Sequence, residues 1–255
     1  MPMLDLTLRT QALVTRGRYR VWEPIHRAVS WLPAETALVL CDVWNHHTCR
    51  GAEERLERML PRMNELVHRL RDLGCLIVHA PSDTIPTYAG HPARQRLLAV
   101  PAIEPPADLP HGDPPLPVDA NDPCDTCPDE AHPDWQRGMP VSWTRQHPAI
   151  GIDEARDVIS ADGRELYSYY HHRGIRHVLE IGVHTNMCIL NRSFSIKQMV
   201  RRGMEPVLVR DLTDCMYNPA QPPYVPHDEA TRLIVGYIEK FWCPTVLSDQ
   251  LLKLD

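Results

Sequence analysis

The sequence predicts a three-layer α/β/α fold built on a mostly parallel sheet of about six strands, and three observations carry that expectation. Thr36-Ala-Leu-Val-Leu-Cys-Asp42 is an unbroken apolar run ending in an acid, the pattern of a strand buried on both faces. Segments of helical period alternate with such runs along the chain, as βαβ crossovers require. Polar, chemistry-bearing residues follow the strand ends: Asp42, His79, Asp83, His184 and Cys188. Parallel sheets gather their sites in that place, outside the strand carboxyl ends.

In chain order, residues 6–22 read as strand–turn–strand with Thr15-Arg16-Gly17 at the turn, so that 1–34 form an N-terminal extension to a domain at 35–255. After the strand at 36–42, a helix over about 52–73 sets Leu56, Leu60, Met63, Leu66, Val67 and Leu70 on one stripe. It stops at Gly74 and is expected to kink at Pro61. A strand at Cys75–His79 and a short helix near 92–99 come next. Residues 101–148 are rich in Pro, Asp and His and have too few apolar residues for a core of their own; so long an insert is expected to act as a lid or a subunit contact. Alternation then resumes with strand 149–152, helix 163–173, strand 177–182, helix 186–202, strand 206–210, helix 227–241 and a short strand at 244–247.

Composition narrows the function. A net charge of −6 without any Lys/Arg run argues against nucleic-acid binding. No apolar run approaches the roughly 20 residues of a membrane helix, and residues 1–20 lack a signal-peptide core, so a cytoplasmic location is expected. The eight cysteines are then reduced thiols, metal ligands or a nucleophile.

The motif that carries chemistry is Gly182-Val-His-Thr-Asn-Met-Cys188, between a strand and the helix it feeds. A thiol in the first helical turn meets the positive end of the dipole and free N–H groups, which favour thiolate. The same N–H groups can hold an oxyanion. A buried structural cysteine is the plainer use of this position.

With Asp42 at an earlier strand end, Gly-Val-x-Thr-x-x-Cys resembles the isochorismatase-like cysteine hydrolases, which include nicotinamidases, N-carbamoylsarcosine amidases and isochorismatases. The resemblance covers about residues 36–247 in the order of elements. It implies Cys188 as nucleophile, Asp42 as general base, and an oxyanion hole from the amides of His184 and Cys188. It further implies a cis peptide at Val183–His184, a small-molecule substrate, and a homodimer or homotetramer. Asp42 should have a raised pKa at the end of a buried strand. If it is what activates the thiol, Asp42→Asn should suppress alkylation of Cys188.

The family also places a lysine between the second strand and the cysteine. Here the first of only three lysines is Lys197, after Cys188. Arg145 and Arg156, flanking the strand expected at 149–152, are the candidates to supply the missing cation, with His147 or His184 as further options. Arginine can stabilise a thiolate but cannot shuttle a proton.

Trp44, His46, His184 and Thr185 are candidate substrate contacts, Trp44 as an aromatic wall. His79, Asp83 and His91 lie roughly where nicotinamidases hold a metal, but the Asp-x-His pattern of that site is absent and no catalytic metal is expected. Cys124 and Cys127, with His132 five residues on, have the spacing of half a zinc site, which Cys49 or a histidine of the insert could complete. Asp211 and Asp214 are expected to brace a loop. The reaction expected is hydrolysis of a small amide or carbamoyl C–N bond. The alternatives are vinyl-ether hydrolysis with Asp42 as acid, and a non-catalytic binding protein on the same fold.

Overall fold

A computed structural model of the chain describes residues 3–126 and 142–254. Its centre is a single eight-stranded sheet in the order β2-β1-β8-β7-β6-β3-β4-β5. The strands are β1 (Leu4–Arg16), β2 (Tyr19–Trp31), β3 (Thr36–Cys41), β4 (Leu76–Ala80), β5 (Val158–Ile159), β6 (His177–Val183), β7 (Glu205–Asp214) and β8 (Thr245–Val246). The six from β8 to β5 run parallel. All six residues of β3 are buried: Ala37, Val39 and Cys41 enter one core and Leu38 and Leu40 the other. Alternating side chains on two covered faces are what an unbroken apolar strand needs.

Helix α1 (Arg50–Leu73) covers one face with Leu56, Leu60, Met63, Leu66, Val67 and Leu70, helped by α7 (Ser248–Leu252) through Leu251. It runs through Pro61 and ends on Gly74, whose φ of 96° is the left-handed cap that glycine adopts without strain. The other face packs α3 (Gly163–Arg173), α5 (Ile196–Arg201) and α6 (His227–Phe241), through Leu166, Tyr169, Ile196, Met199, Ile234 and Ile238. The short α2 (Pro92–Leu98) and α4 (Cys188–Asn191) complete the set. Among the described residues, no helix is long and apolar enough to cross a membrane.

Three expectations change. The sheet has eight strands rather than six, because the segment expected as an extension is a long hairpin: β1 pairs β2 throughout and joins the sheet at Arg9 opposite Thr245. Leu4, Leu6 and Leu8 bury one side of its inner half in the core. The strand expected at 149–152 is not formed. Pro148 and Gly151 bracket its few apolar residues, and the chain turns through Asp153–Asp157 before reaching the sheet edge at Val158. The helix expected over 186–202 is broken in two at Arg192, which is extended (ψ 152°). The break lets the chain press on Gly163, where a Cβ would lie 1.8 Å from the Ser193 carbonyl oxygen.

A buried charged cluster fastens α1 to the sheet edge. Arg71 donates to both carboxylate oxygens of Asp157, at 2.9 and 2.6 Å. His79 lies between Asp157 (Nε2 to Oδ2, 2.9 Å) and Gln146 (Nδ1 to Oε1, 2.9 Å). Burial alone would raise the Asp157 pKa, but His79 and Arg71 hold it down to about 2. A carboxylate so depressed stabilises the fold fully above its unfolded pKa of roughly 4, and that contribution is lost as the pH falls toward 2. Asp157→Ala should cost about 3–5 kcal/mol in urea unfolding at pH 7, since it strands a buried guanidinium. The stability of the variant should also fall less steeply between pH 4 and 2; a loss below about 1 kcal/mol would mean that the cluster is solvated rather than structural.

Candidate active site

The ends of β3 and β6 lie side by side, with Cys41 opposite Gly182. Gly182 has φ +119°, and a Cβ there would sit 1.9 Å from the Cys41 carbonyl oxygen. Only glycine allows that approach, and it brings Asp42, the next residue of one strand end, to the turn that carries Cys188. In this turn the Val183–His184 peptide is cis. The turn is tied to the end of β7: the Thr185 amide donates to the Asp214 carbonyl (2.9 Å), the Thr185 and Thr213 hydroxyls share a hydrogen bond (2.7 Å), and Asn186 exchanges two hydrogen bonds with the Met216 backbone. Thr185 is therefore spent on holding the turn.

Asp42 is fully buried, with φ +51°. Its Oδ1 accepts the Ser82 amide at 2.8 Å and its Oδ2 accepts Arg192 Nε at 2.9 Å. Burial raises its pKa while Arg192 pulls the other way. Cys188 opens α4, directly after the turn that carries His184. Burial first, and then the Asp42 charge, push the Cys188 pKa up to about 12, with Arg192 opposing. Both effects favour a neutral Cys188 thiol.

Arg192 is the cation of this site. Its Nη2 also reaches Asp83 Oδ2 at 3.2 Å, and its guanidinium lies 6.0 Å from the centroid of the Trp44 ring. The arginines expected to serve are placed elsewhere. Arg156 is exposed and pairs with Asp153 and Asp72. Arg145 is exposed, in a segment held to Asn45 through backbone hydrogen bonds. His147 bonds Glu57, and His184 is buried with its pKa lowered to about 3, a neutral ring. Arg192 was concealed by the expectation of one continuous helix. Its position depends on the break after Asn191, which no local pattern of the sequence marks.

Trp44 stacks on Trp143 (centroids 4.1 Å apart, planes within 8°) and donates from Nε1 to the Ser82 carbonyl. His47, not His46, turns toward the site, its ring 4.8 Å from that of His184, whereas His46 faces Glu53. A cavity of about 500 Å³ adjoins Arg192 and Ser82, with Asp83, Arg94, Glu165 and Ser193 in its walls.

Of the residues considered as metal ligands, His79 has both ring nitrogens engaged, Asp83 pairs with Arg192, and His91 caps α2 by accepting the Ala93 amide. Cys124 lies against Cys49. Cys127 and His132 fall outside the described residues. Among the described residues, no three His, Cys, Asp or Glu side chains converge as a metal site. Asp214 bonds Arg55 and His227, and Asp211 braces Ser248, both as loop supports.

Comparison of the sequence with family models and with curated proteins returns no match. Solved structures do match in fold. A cysteine hydrolase from Pseudomonas syringae pv. phaseolicola 1448A superimposes with a TM-score of 0.53 at 14% identity, covering 95% of this chain and 96% of that one. A structure named as an isochorismatase hydrolase, from Oleispira antarctica, gives 0.50 at 16% identity over 86% of this chain and 96% of that one. Another named as an isochorismatase, from Burkholderia xenovorans LB400, gives 0.50 at 14% identity over 86% of each. The isochorismatase-like α/β fold expected from the residues is thereby shown.

The charges around Cys188 reverse one expectation from the sequence. The Asp42 carboxylate suppresses thiolate, so Asp42→Asn should lower the thiol pKa and leave Arg192 unpaired beside the sulfur. Iodoacetamide labelling of Cys188 at pH 8 should then speed up, by about threefold for each unit of pKa lost, the gain in thiolate being partly offset by its lower nucleophilicity. Slower labelling in this variant would show that Asp42, rather than Arg192, activates the sulfur.

Proposed function

We propose that this chain is a hydrolase of small amide, carbamoyl or related C–N bonds, acting through a thioester on Cys188. The observation that carries this reading is a Cys188 thiol in the field of a buried Asp42 whose carboxylate also holds Arg192 at 2.9 Å. The proton on sulfur passes to Asp42, and the sulfur attacks the carbonyl carbon. The amides of His184 and Cys188 take the oxyanion. When the intermediate collapses, Asp42 returns the proton to the leaving amine. Water then attacks the thioester and gives its proton to Asp42, which passes it back to the departing sulfur.

Arg192 fits this sequence of steps. Throughout, the site carries one negative charge, which shifts between the Asp42–Cys188 pair and the oxyanion. A guanidinium that stays protonated neutralises that charge in either place. Asp42 alone moves the proton.

The raised Asp42 pKa favours a second reading, in which a protonated Asp42 cleaves a vinyl ether with no covalent step. Cys188→Ala separates the two. Under the thioester mechanism, turnover of a panel of small amides and ureas should fall by roughly 10³-fold or more, and the acyl adduct seen by intact mass with the wild type should vanish. Retained turnover of a vinyl-ether substrate in Cys188→Ala would establish the acid mechanism instead. An adduct-free wild type that turns over neither class would leave a binding protein.

A further inference from the structure

Among the described residues, two thiols meet where the insert reaches α1. Cys49 ends the loop that carries Trp44 and His47, occupies the residue before α1, and is buried. Cys124, half-buried, comes from the insert. Their sulfurs are 2.6 Å apart. That is well inside the roughly 3.5–4 Å of ordinary non-bonded contact between heavy atoms.

Independent contacts hold the two segments in that position. The Gly51 amide donates to Thr126 Oγ1 at 2.9 Å, and Arg55 donates to Asp125 Oδ2 at 2.7 Å. His227 pairs with the same carboxylate at 3.4 Å. A Cβ on Gly51 would lie 2.6 Å from Asp125 Oδ1, so the close approach depends on a glycine. Met187 and Met216 pack around the two thiols and complete a sulfur-rich patch.

We propose that Cys49 and Cys124 form a reversible cross-link, oxidised by a low-molecular-weight disulfide of the glutathione type, that fastens the insert to the start of α1. Cys124, the more exposed sulfur, attacks the oxidant as thiolate and forms a mixed disulfide, releasing one small thiol. Cys49 then gives up its proton to water and attacks the Cys124 sulfur, expelling the second small thiol. Two protein thiols are oxidised, one small disulfide is reduced, and no further reactant is needed. The cross-link bears on the candidate active site because His47 Nδ1 accepts the Cys49 amide at 2.9 Å while its ring faces His184.

The test uses the full chain, equilibrated in glutathione buffers from fully reduced to fully oxidised, quenched in acid, alkylated with N-ethylmaleimide and digested without reductant. The expected result in oxidised buffer is a single Cys49–Cys124 peptide pair, with two fewer alkylated thiols than the eight of the reduced chain. Cys49→Ser should convert Cys124 into a stable glutathione adduct. Cys124→Ser, at a half-exposed site that should tolerate the change, should abolish the pair. The proposal is overturned if all eight thiols stay alkylated in oxidised buffer, or if Cys124 is found joined to Cys127 instead. Neither result touches the thioester reading, because Cys188 is mapped separately in the same digest.

Discussion

The contact between the ends of β3 and β6 sets everything else at the site. Asp42 and Cys188 belong to different βαβ units and are nearly 150 residues apart in the chain, so only the pairing of their strands can bring them together. The pairing is tight because Gly182 has no side chain to hold the Cys41 carbonyl away. Immediately beyond that contact, the two chains diverge into the Asp42 loop and the Cys188 turn, each fixed by hydrogen bonds to a neighbouring strand or loop. The separation of Asp42 and Cys188 is thereby set by the pairing of two strands.

Electrostatics then determine what the pair can do. Burial penalises charge on both Asp42 and Cys188, so a second negative charge would be costly, and the resting site carries one. Arg192 offsets that charge from a position reached only because the helix breaks beside it. A buried ion pair of this kind contributes little to stability after desolvation. Its effect at the site is to set a positive charge against Asp42, beside the Cys188 thiol.

Much of the fold was legible in the sequence because its signals are local. The β3 run, the stripe of α1, the Gly74 stop and the bounds of α6 each depend on residues within one element. What was not legible depends on distant partners. The strand expected at 149–152 fails because the chain must first bury Asp157 against Arg71 and His79, which come from other elements. The hairpin was visible as a hairpin, but nothing in residues 4–31 announces that its inner half would lie beside β8. At the site, Cys188 and Asp42 could be named from their places after strand ends. The sequence offered cations before the nucleophile, whereas Arg192 follows it, at a helix break beside the close contact of Ser193 with Gly163, some 30 residues away. The choice between His46 and His47 likewise depends on how the loop turns, which Trp143 and Glu53 help to fix.

The hairpin has a consequence for how the chain becomes a protein. β1 lies beside β8, and the Thr7 amide donates to the Gln250 side chain, 243 residues away. On the ribosome β1 therefore waits for a segment made long after it before it can take its place in the sheet. Contacts of such sequence separation close slowly, because the chain must lose most of its freedom before they form. During synthesis the hairpin presents its inner apolar face, Leu4, Leu6 and Leu8, without the neighbour that finally covers it.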